Sequence, residues 1–318
     1  MKILEEVSKI LPHESWCRDE EAVMERHTPV MLAEVLTVLR LSPGKFIVDC
    51  TVGEGGHTAG ILSRIVPGGY LLGLDQDDDA LEAAQQKLAC YDGSFRLVNM
   101  NFKNIRAALQ ADGKDCADGF VFDLGVSMMQ LSSPERGFSF RLEGPLNMRM
   151  DKRGQITAFD LVNNLSEDEI ATVLYRFGQE YNSRRIAARI VGSRQRSPIG
   201  TTSQLAEIVY GAVPEHERHK KIHPATKTFM ALRIAVNREL EAVQIGVREA
   251  VDALKPGGRI CVISFHSLED RIVKQEFRAL AKKGVVELVT KKPLVPNEQE
   301  MRENPRSRSA KMRVAQKK

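Results

Sequence analysis

The sequence predicts an α/β fold, a Rossmann-like nucleotide-binding sheet with an inserted all-helical block. Three observations carry this. First, an apolar run, Phe46 to Val48, ends in Asp49 and passes directly into a turn containing Gly53, Gly55 and Gly56. Second, a further apolar run, Tyr70 to Leu74, ends in Asp75. An acid there, about twenty residues after the glycines, is suited to ribose hydroxyls, while the glycines let backbone approach a ligand. Third, strand and helix patterns alternate from His27 to about Gln130 and resume after Lys255. That alternation implies a parallel sheet covered on both faces.

The elements follow in order. Pro29 to Leu39 reads as an amphipathic helix, Phe46 to Cys50 as a strand, and Thr58 to Ile65 as a helix. A strand ending at Asp75, a helix over Asp78 to Leu88 and a short strand, Phe95 to Val98, come next. Gly119 to Leu124 is a buried strand with Asp123 near its end. Ser133 to Gly154, rich in Gly, Pro, Arg and Met, lacks a period and reads as a long ordered loop. Ser166 and Glu169 have capping-box spacing ahead of Ile170, Val173, Leu174 and Phe177, and Gly178 is expected to stop that helix. Helices over Ser183 to Gln195 and after Thr202 complete an inserted domain, expected over 133–222.

After His223-Pro224, apolar residues from Phe229 to Leu254 recur at steps of three and four. The spacing predicts one helix of about 30 residues, roughly 45 Å long. Lys255-Pro256-Gly257-Gly258 ends it, and Arg259 to Phe265 returns to a buried strand. A helix from about Leu268 and strands near Val285 to Val289 and Met312 to Ala315 finish the sheet. The expected organisation is an extension over 1–26, a sheet domain over 27–132 and 223–318, and the insertion between.

Composition narrows the class. The chain has 318 residues with 46 Lys and Arg against 42 Asp and Glu, a net charge of +4, which permits a polyanionic partner without demanding one. Its 5 cysteines lack the spacing of a metal site or disulfide framework, as expected of reduced thiols in an intracellular protein, and no metal is expected. No apolar run approaches the roughly 20 residues of a membrane span. The acidic first 26 residues lack the apolar stretch of a secretory signal, so the expected location is cytoplasmic.

S-adenosylmethionine fits the glycine turn better than a dinucleotide. The turn is GxGG followed by His57, not GxGxxG, and Asp49 and Glu54 put negative charge where a pyrophosphate would be repelled. An ammonium and a sulfonium would be welcome there. Asp75 would take the ribose diol and Phe102 would line the adenine. His57 is either a ligand contact or a cap of the following helix. Asp123, in DLGVS, either touches the cofactor or accepts from a target amino group, whose delocalised lone pair must be held for attack while its proton leaves.

The loop ERGFSFRLEGPLNMRMD sets Phe138 and Phe140 beside Arg136, Arg141 and Arg149, a mixture suited to stacking bases and pairing phosphates. Arg185 and Arg189 lie one helical turn apart, with Arg184, Arg194 and Arg196 near in sequence, and a basic helix face can position RNA phosphates. Ser264 to Asp270, SFHSLED, ends a strand at the edge expected to carry Gly55 and Asp123. His266 and Ser267 would thus face substrate, although Ser267 with Asp270 also satisfies a helix-cap spacing.

These segments occur in a recognisable order. HTPVMLAEVL, DCTVGEGGHT, LGLDQD, DLGVSMMQL, ERGFSF, GPLNMRMD, HPATKTFMALRIAVNREL, LKPGGR and ISFHSLEDRIVK together resemble the bacterial ribosomal RNA small-subunit methyltransferase H family, also called MraW. The resemblance spans His27 to Arg313. It implies a class I methyltransferase sheet with an inserted helical domain. It also implies methyl transfer from S-adenosylmethionine to N4 of a cytidine in the decoding region of small-subunit rRNA, within an assembled or nearly assembled subunit. Cofactor contacts carried over fall on Gly55, Gly56, His57, Asp75, Phe102, Asp123 and Gln130; this assigns Asp123 to the cofactor. Substrate contacts are expected from Asn147, Arg149, His266 and Ser267.

Two positions depart from the family pattern. Met128 stands where a second Ser is usual, and Asn147 where Asp is usual; an amide there can hydrogen-bond but cannot act as a base. Two rival readings follow. A dinucleotide-dependent oxidoreductase lacks its glycine frame. A non-catalytic RNA-binding assembly factor that keeps the cofactor pocket has only Met128 and Asn147 in its favour.

Overall fold

The computed structural model describes residues 29–219 and 221–318, so the extension expected over 1–26, and His27, lie outside the described residues. The chain divides into two compact units, one made of residues up to Gly125 together with Ala242–Lys318, the other of Val126–Glu241. The second unit is wider than the insertion expected over 133–222.

The first unit is built on a seven-stranded sheet. Its strands are β1 (Phe46–Asp49), β2 (Tyr70–Asp75), β3 (Phe95–Asn99), β4 (Ala117–Asp123), β5 (Leu254–Ser264), β6 (Val286–Leu288) and β7 (Lys311–Lys317), in the spatial order β3-β2-β1-β4-β5-β7-β6. Strands β1 to β5 run parallel and sit in the middle of near-continuous apolar sequence, as a sheet covered on both faces requires. Two strands depart from a purely parallel arrangement: β7 pairs antiparallel with β5, and β6 antiparallel with β7. Ile47, Val48, Leu71, Leu72, Phe120, Val121, Phe122, Ile260 and Val262 are all fully buried. Burying a side chain of this size is worth about 1.5–3 kcal/mol against leaving it exposed. Parallel pairing aligns the C-terminal ends of β1, β2, β3 and β4, so Asp49, Asp75, Asn99 and Asp123 come to one edge.

The second unit is mainly helical, with helices Ala158–Asn164, Glu167–Gly178, Ser183–Arg194, Thr202–Ala212 and Ala225–Asn237 around Leu174, Ile186, Leu205, Val209, Phe229 and Leu232. The Ser166/Glu169 capping box forms, and Thr157/Asp160 and Thr201/Gln204 make two more. Gly178 does not itself turn the chain out of its helix. It is the last helical residue, and Gln179 takes the left-handed conformation. Gly178 is needed for closeness: a Cβ there would lie 2.7 Å from the Lys227 carbonyl oxygen.

The single long helix expected after His223 is two helices. Arg238, at φ 50°, interrupts it between Ala225–Asn237 and Glu239–Asp252. Arg233 spans the break with two hydrogen bonds of 2.9 Å to the Glu239 carboxylate. One left-handed residue ends the first helix yet leaves the three-four apolar spacing intact, so the pattern alone hides it.

Candidate functional site

The glycine turn after β1 is tied to the acid after β2. Asp75 accepts from the Gly53 amide at 2.9 Å and from the Asp77 amide at 3.0 Å, one on each carboxylate oxygen. Gly53 (φ 51°) and Gly55 (φ 78°) adopt left-handed backbone, which L side chains enter only at a cost. At Gly53 an added Cβ would meet nothing, so the turn opens on free space there. Gly56 has a different constraint, since its Cβ would fall 2.5 Å from Pro29 Cγ.

Three carboxyls stand at this turn, Asp49 buried and Asp75 and Asp123 half-buried. Asp49 accepts from Thr58 Oγ1 at 2.7 Å and from the Thr51 amide at 3.1 Å. Asp123 takes a backbone anchor, its amide donating to Thr51 Oγ1 at 2.6 Å, while its Oδ1 is buried without a hydrogen-bond partner. Burial pushes Asp49 and Asp75 each up to about 6. Burial, and then the charges of Asp49 and Glu269, raise Asp123 well above the carboxylate range. Among the described residues no Lys or Arg pairs with any of the three.

His57 does not cap the helix that follows. Gly55 holds the N-cap position, and the buried imidazole donates from Nε2 to the Val30 carbonyl at 2.9 Å. Its Nδ1 lies 3.6 Å from Asp123 Oδ2. His57 therefore links the Val30 segment to the acid at the end of β4. Beyond β3, Phe102 packs edge-on against Phe122 (centroids 5.5 Å apart, 77°), with Gly246 giving it room. Asn101 donates to Gln76 at 2.7 Å. Asn99, paired in register with Asp75, has an amide whose N and O are both buried without partners. Orphaned polar atoms at a strand edge mark a place where something else is to bind or adjust. The sequence reading missed Asn99 because a strand-end Asn has no motif of its own.

The donor set fits S-adenosylmethionine. Carboxyls without Lys or Arg partners suit a ligand bearing an ammonium and a sulfonium and a pair of hydroxyl donors, whereas a pyrophosphate would meet repulsion. Asp75 and the left-handed glycines stand together at the sheet edge, and Phe102 follows the end of β3.

The SFHSLED segment is resolved by its cap. The N-cap is His266, not Ser267: His266 Nδ1 accepts from the Glu269 amide at 3.4 Å, and Glu269 accepts in return from the amides of Phe265 (2.9 Å) and His266 (3.3 Å). The expected Ser267/Asp270 pairing is therefore displaced by one residue, because the buried Glu269 carboxylate can serve two amides at once. Asp270 instead forms a two-point pair with Arg313 on β7.

Gln130, Asn147 and Arg149 belong to the second unit. Gln130 is buried, and its side-chain oxygen accepts from the Ser127 amide in a capping box. Asn147 Oδ1 accepts from Arg149 Nε at 2.8 Å, and a second guanidinium nitrogen of Arg149 donates to the Gly154 carbonyl at 2.6 Å. Between them Met148 sits at φ 61°, an uncommon conformation for a side-chain-bearing residue and one that surrounding contacts must hold. Two residues do so. Asn237 accepts from the Met150 amide (2.8 Å) and donates to the Met148 carbonyl (2.7 Å). The buried Arg136 donates to the carbonyls of Arg149 (3.0 Å) and Met150 (3.1 Å). Sequence reading gave Arg136 to nucleic acid and overlooked Asn237; both fasten the loop from within.

Comparison with known proteins identifies the family. Residues 24–318 match the model of the MraW methylase family. The chain is 48% identical over 292 residues to Ribosomal RNA small subunit methyltransferase H of Persephonella marina, covering 92% of this chain and 99% of that one. It is 43% identical over 306 residues to the protein of the same name from Brevibacillus brevis, covering 92% and 98%. Among solved structures it is similar to Aeropyrum pernix fibrillarin with natively bound S-adenosyl-L-methionine, at a TM-score of 0.38 and 11% identity, over 86% of this chain and 67% of that chain. The chain belongs to the MraW methylase family, a family of S-adenosylmethionine-dependent methylases.

Proposed function

We propose that the chain methylates N4 of a cytidine in the decoding region of small-subunit ribosomal RNA, with S-adenosylmethionine as donor. The observation that carries the cofactor half is the edge formed by the left-handed Gly53 and Gly55, Asp75, and carboxyls that have no Lys or Arg partner among the described residues. The substrate half rests on family membership and on the name that its relatives carry.

When bound, S-adenosylmethionine supplies a methyl group made electrophilic by its sulfonium. Asp75 would accept the ribose hydroxyls while still holding the Gly53 and Asp77 amides, since each carboxylate oxygen has a second acceptor direction. Phe102 would offer its ring to the adenine. Asp49 and Asp123 would favour the positively charged end, and the ligand's charge would in turn draw their pKa values down. Arg149, locked by Asn147 and Gly154, is a preformed cation for the RNA side, and Asn147 contributes an acceptor rather than a base. Positioning is the main resource, since well-oriented reactants can save roughly 7–11 kcal/mol of a barrier. The target base must leave its stack to be methylated.

The test is transfer of a labelled methyl group from S-adenosylmethionine to small subunits that lack the modification, followed by digestion to nucleosides. Label in N4-methylcytidine supports the reading. Label in another nucleoside, or none from a protein that binds the cofactor, overturns it.

A further inference from the structure

At the turn between Glu167–Gly178 and Ser183–Arg194 the second unit joins the basic helix face noted in the sequence to an exposed aromatic ring that the sequence reading did not single out. Tyr181 is 86% exposed, the largest exposure among the described large hydrophobic residues, although aromatic rings ordinarily bury most of their area. It is held in place from below. Lys227 Nζ lies 5.6 Å over the ring and is itself fixed by donating to the Gln179 carbonyl at 3.3 Å. Tyr175, 59% exposed, lies near the end of the preceding helix.

The charges beside this ring are unbalanced. Arg184 and Arg185 occupy the first turn of Ser183–Arg194 and Arg189 the next turn, all exposed. None of the three makes an ion pair or hydrogen bond among the described residues, and that first turn contains no acid. Cations at a helix N-terminus oppose the helix dipole, so the pattern runs against helix stability. The nearby acids are already engaged: Glu180 is buried and accepts from Asn182, and Glu217 accepts from the Asn182 side-chain amide at 3.0 Å. The acids of Glu167–Gly178 stand at its far end, about 16 Å away at 1.5 Å per residue.

We infer that Tyr181, with Lys227 beneath it and Arg184, Arg185 and Arg189 beside it, is a stacking and phosphate-binding surface for a single-stranded segment of the substrate RNA. An exposed ring accepts any base on its open face, and unpaired guanidinium groups one helical turn apart suit successive phosphates. The inference rests on the reading of small-subunit RNA as substrate.

The experiment measures binding of unmodified small subunits over a salt series, together with methyl-transfer kinetics and S-adenosylmethionine affinity. It compares wild type, Tyr181→Ala, Tyr181→Phe and the double variant Arg184→Glu/Arg185→Glu. Stacking on one ring predicts roughly 5- to 150-fold weaker subunit binding for Tyr181→Ala, and near wild-type binding for Tyr181→Phe. Losing two phosphate contacts predicts a log–log salt slope shallower by about 1.4 for the double variant. In each impaired variant KM for the subunit rises while cofactor affinity stays at the wild-type value. Wild-type binding and salt slope in both Tyr181→Ala and the double variant would overturn the surface while leaving the methylation reading intact. A wild-type protein that binds subunits but forms no N4-methylcytidine would instead overturn the reading of the reaction, and one that binds no subunits would overturn both.

Discussion

Replacing Asp75 by alanine separates a ligand role from a structural one. In the unliganded fold the carboxylate receives two backbone amides, from Gly53 and Asp77. Leaving both buried without acceptors costs about 1–3 kcal/mol each. An opposing term comes from the carboxyl itself, whose pKa is raised by burial from 3.8 to about 6. Removing a group so disfavoured in its charged form returns on the order of 3 kcal/mol at neutral pH. The two nearly offset, so the net change in stability is small, from about 1 kcal/mol gained to about 3 kcal/mol lost. Cofactor affinity has no such offset. Two hydroxyls donating to a carboxylate are worth about 1.5–3 kcal/mol each, which predicts at least a hundredfold loss of S-adenosylmethionine binding. Titration calorimetry with the cofactor and equilibrium urea unfolding measure the two quantities separately. Affinity within threefold of wild type in a folded Asp75→Ala protein would refute the placement of the ribose.

Further outcomes follow from the same geometry. Asn237→Ala removes the side chain that pairs with Met148 and Met150, leaving backbone groups unsatisfied at about 1–3 kcal/mol each; steady-state kinetics should show impaired transfer to subunits with unchanged cofactor affinity, and equal loss of both would contradict a loop-positioning role. Gly137→Ala should disable the same loop more severely, because its Cβ would collide with the Pro145 carbonyl oxygen and approach the Asn147 nitrogen to 2.8 Å; limited proteolysis of the 134–154 segment would reveal the loosening, and a wild-type digestion pattern would count against it. Cofactor affinity should climb between pH 5 and 7 and level off above, by up to about tenfold per pH unit for each carboxyl that must ionise, since Asp49 and Asp75 titrate near 6. For the unliganded fold the sign is opposite. These two carboxyls bind protons more tightly than in the unfolded chain, so their contribution favours folding least above pH 6 and declines as pH rises from 3.8 to 6. Paired thermal melts of wild type and Asp49→Asn across that window isolate the effect, and identical pH dependence in the two proteins would contradict it.

Much of the sheet unit was legible because its signals are local. Apolar runs ending in Asp49, Asp75 and Asp123 mark parallel strands whose ends share an edge, and the glycines after Asp49 mark the turn that the structure ties to Asp75. Features set by distant partners were not legible. Asn237 acts on residues 87 and 89 positions away, and its own neighbourhood reads as ordinary helix. The break at Arg238 preserves the apolar period, so periodicity extends the helix straight through it. At SFHSLED two capping registers differ by one residue, and burial of Glu269, which only the fold provides, chooses between them. Asn147 shows the limit of motif comparison. The substitution removes a charge, while the structure shows that the retained oxygen still holds Arg149.

The most direct test of the account is nucleoside analysis of small-subunit rRNA from cells lacking their own member of this family, complemented with this chain or with its Asp75→Ala variant. The wild-type chain is expected to restore N4-methylcytidine and the variant is not. Restoration by both would contradict the cofactor site described at the ends of β1, β2 and β4, and restoration by neither, with both proteins folded and abundant, would contradict the proposed reaction.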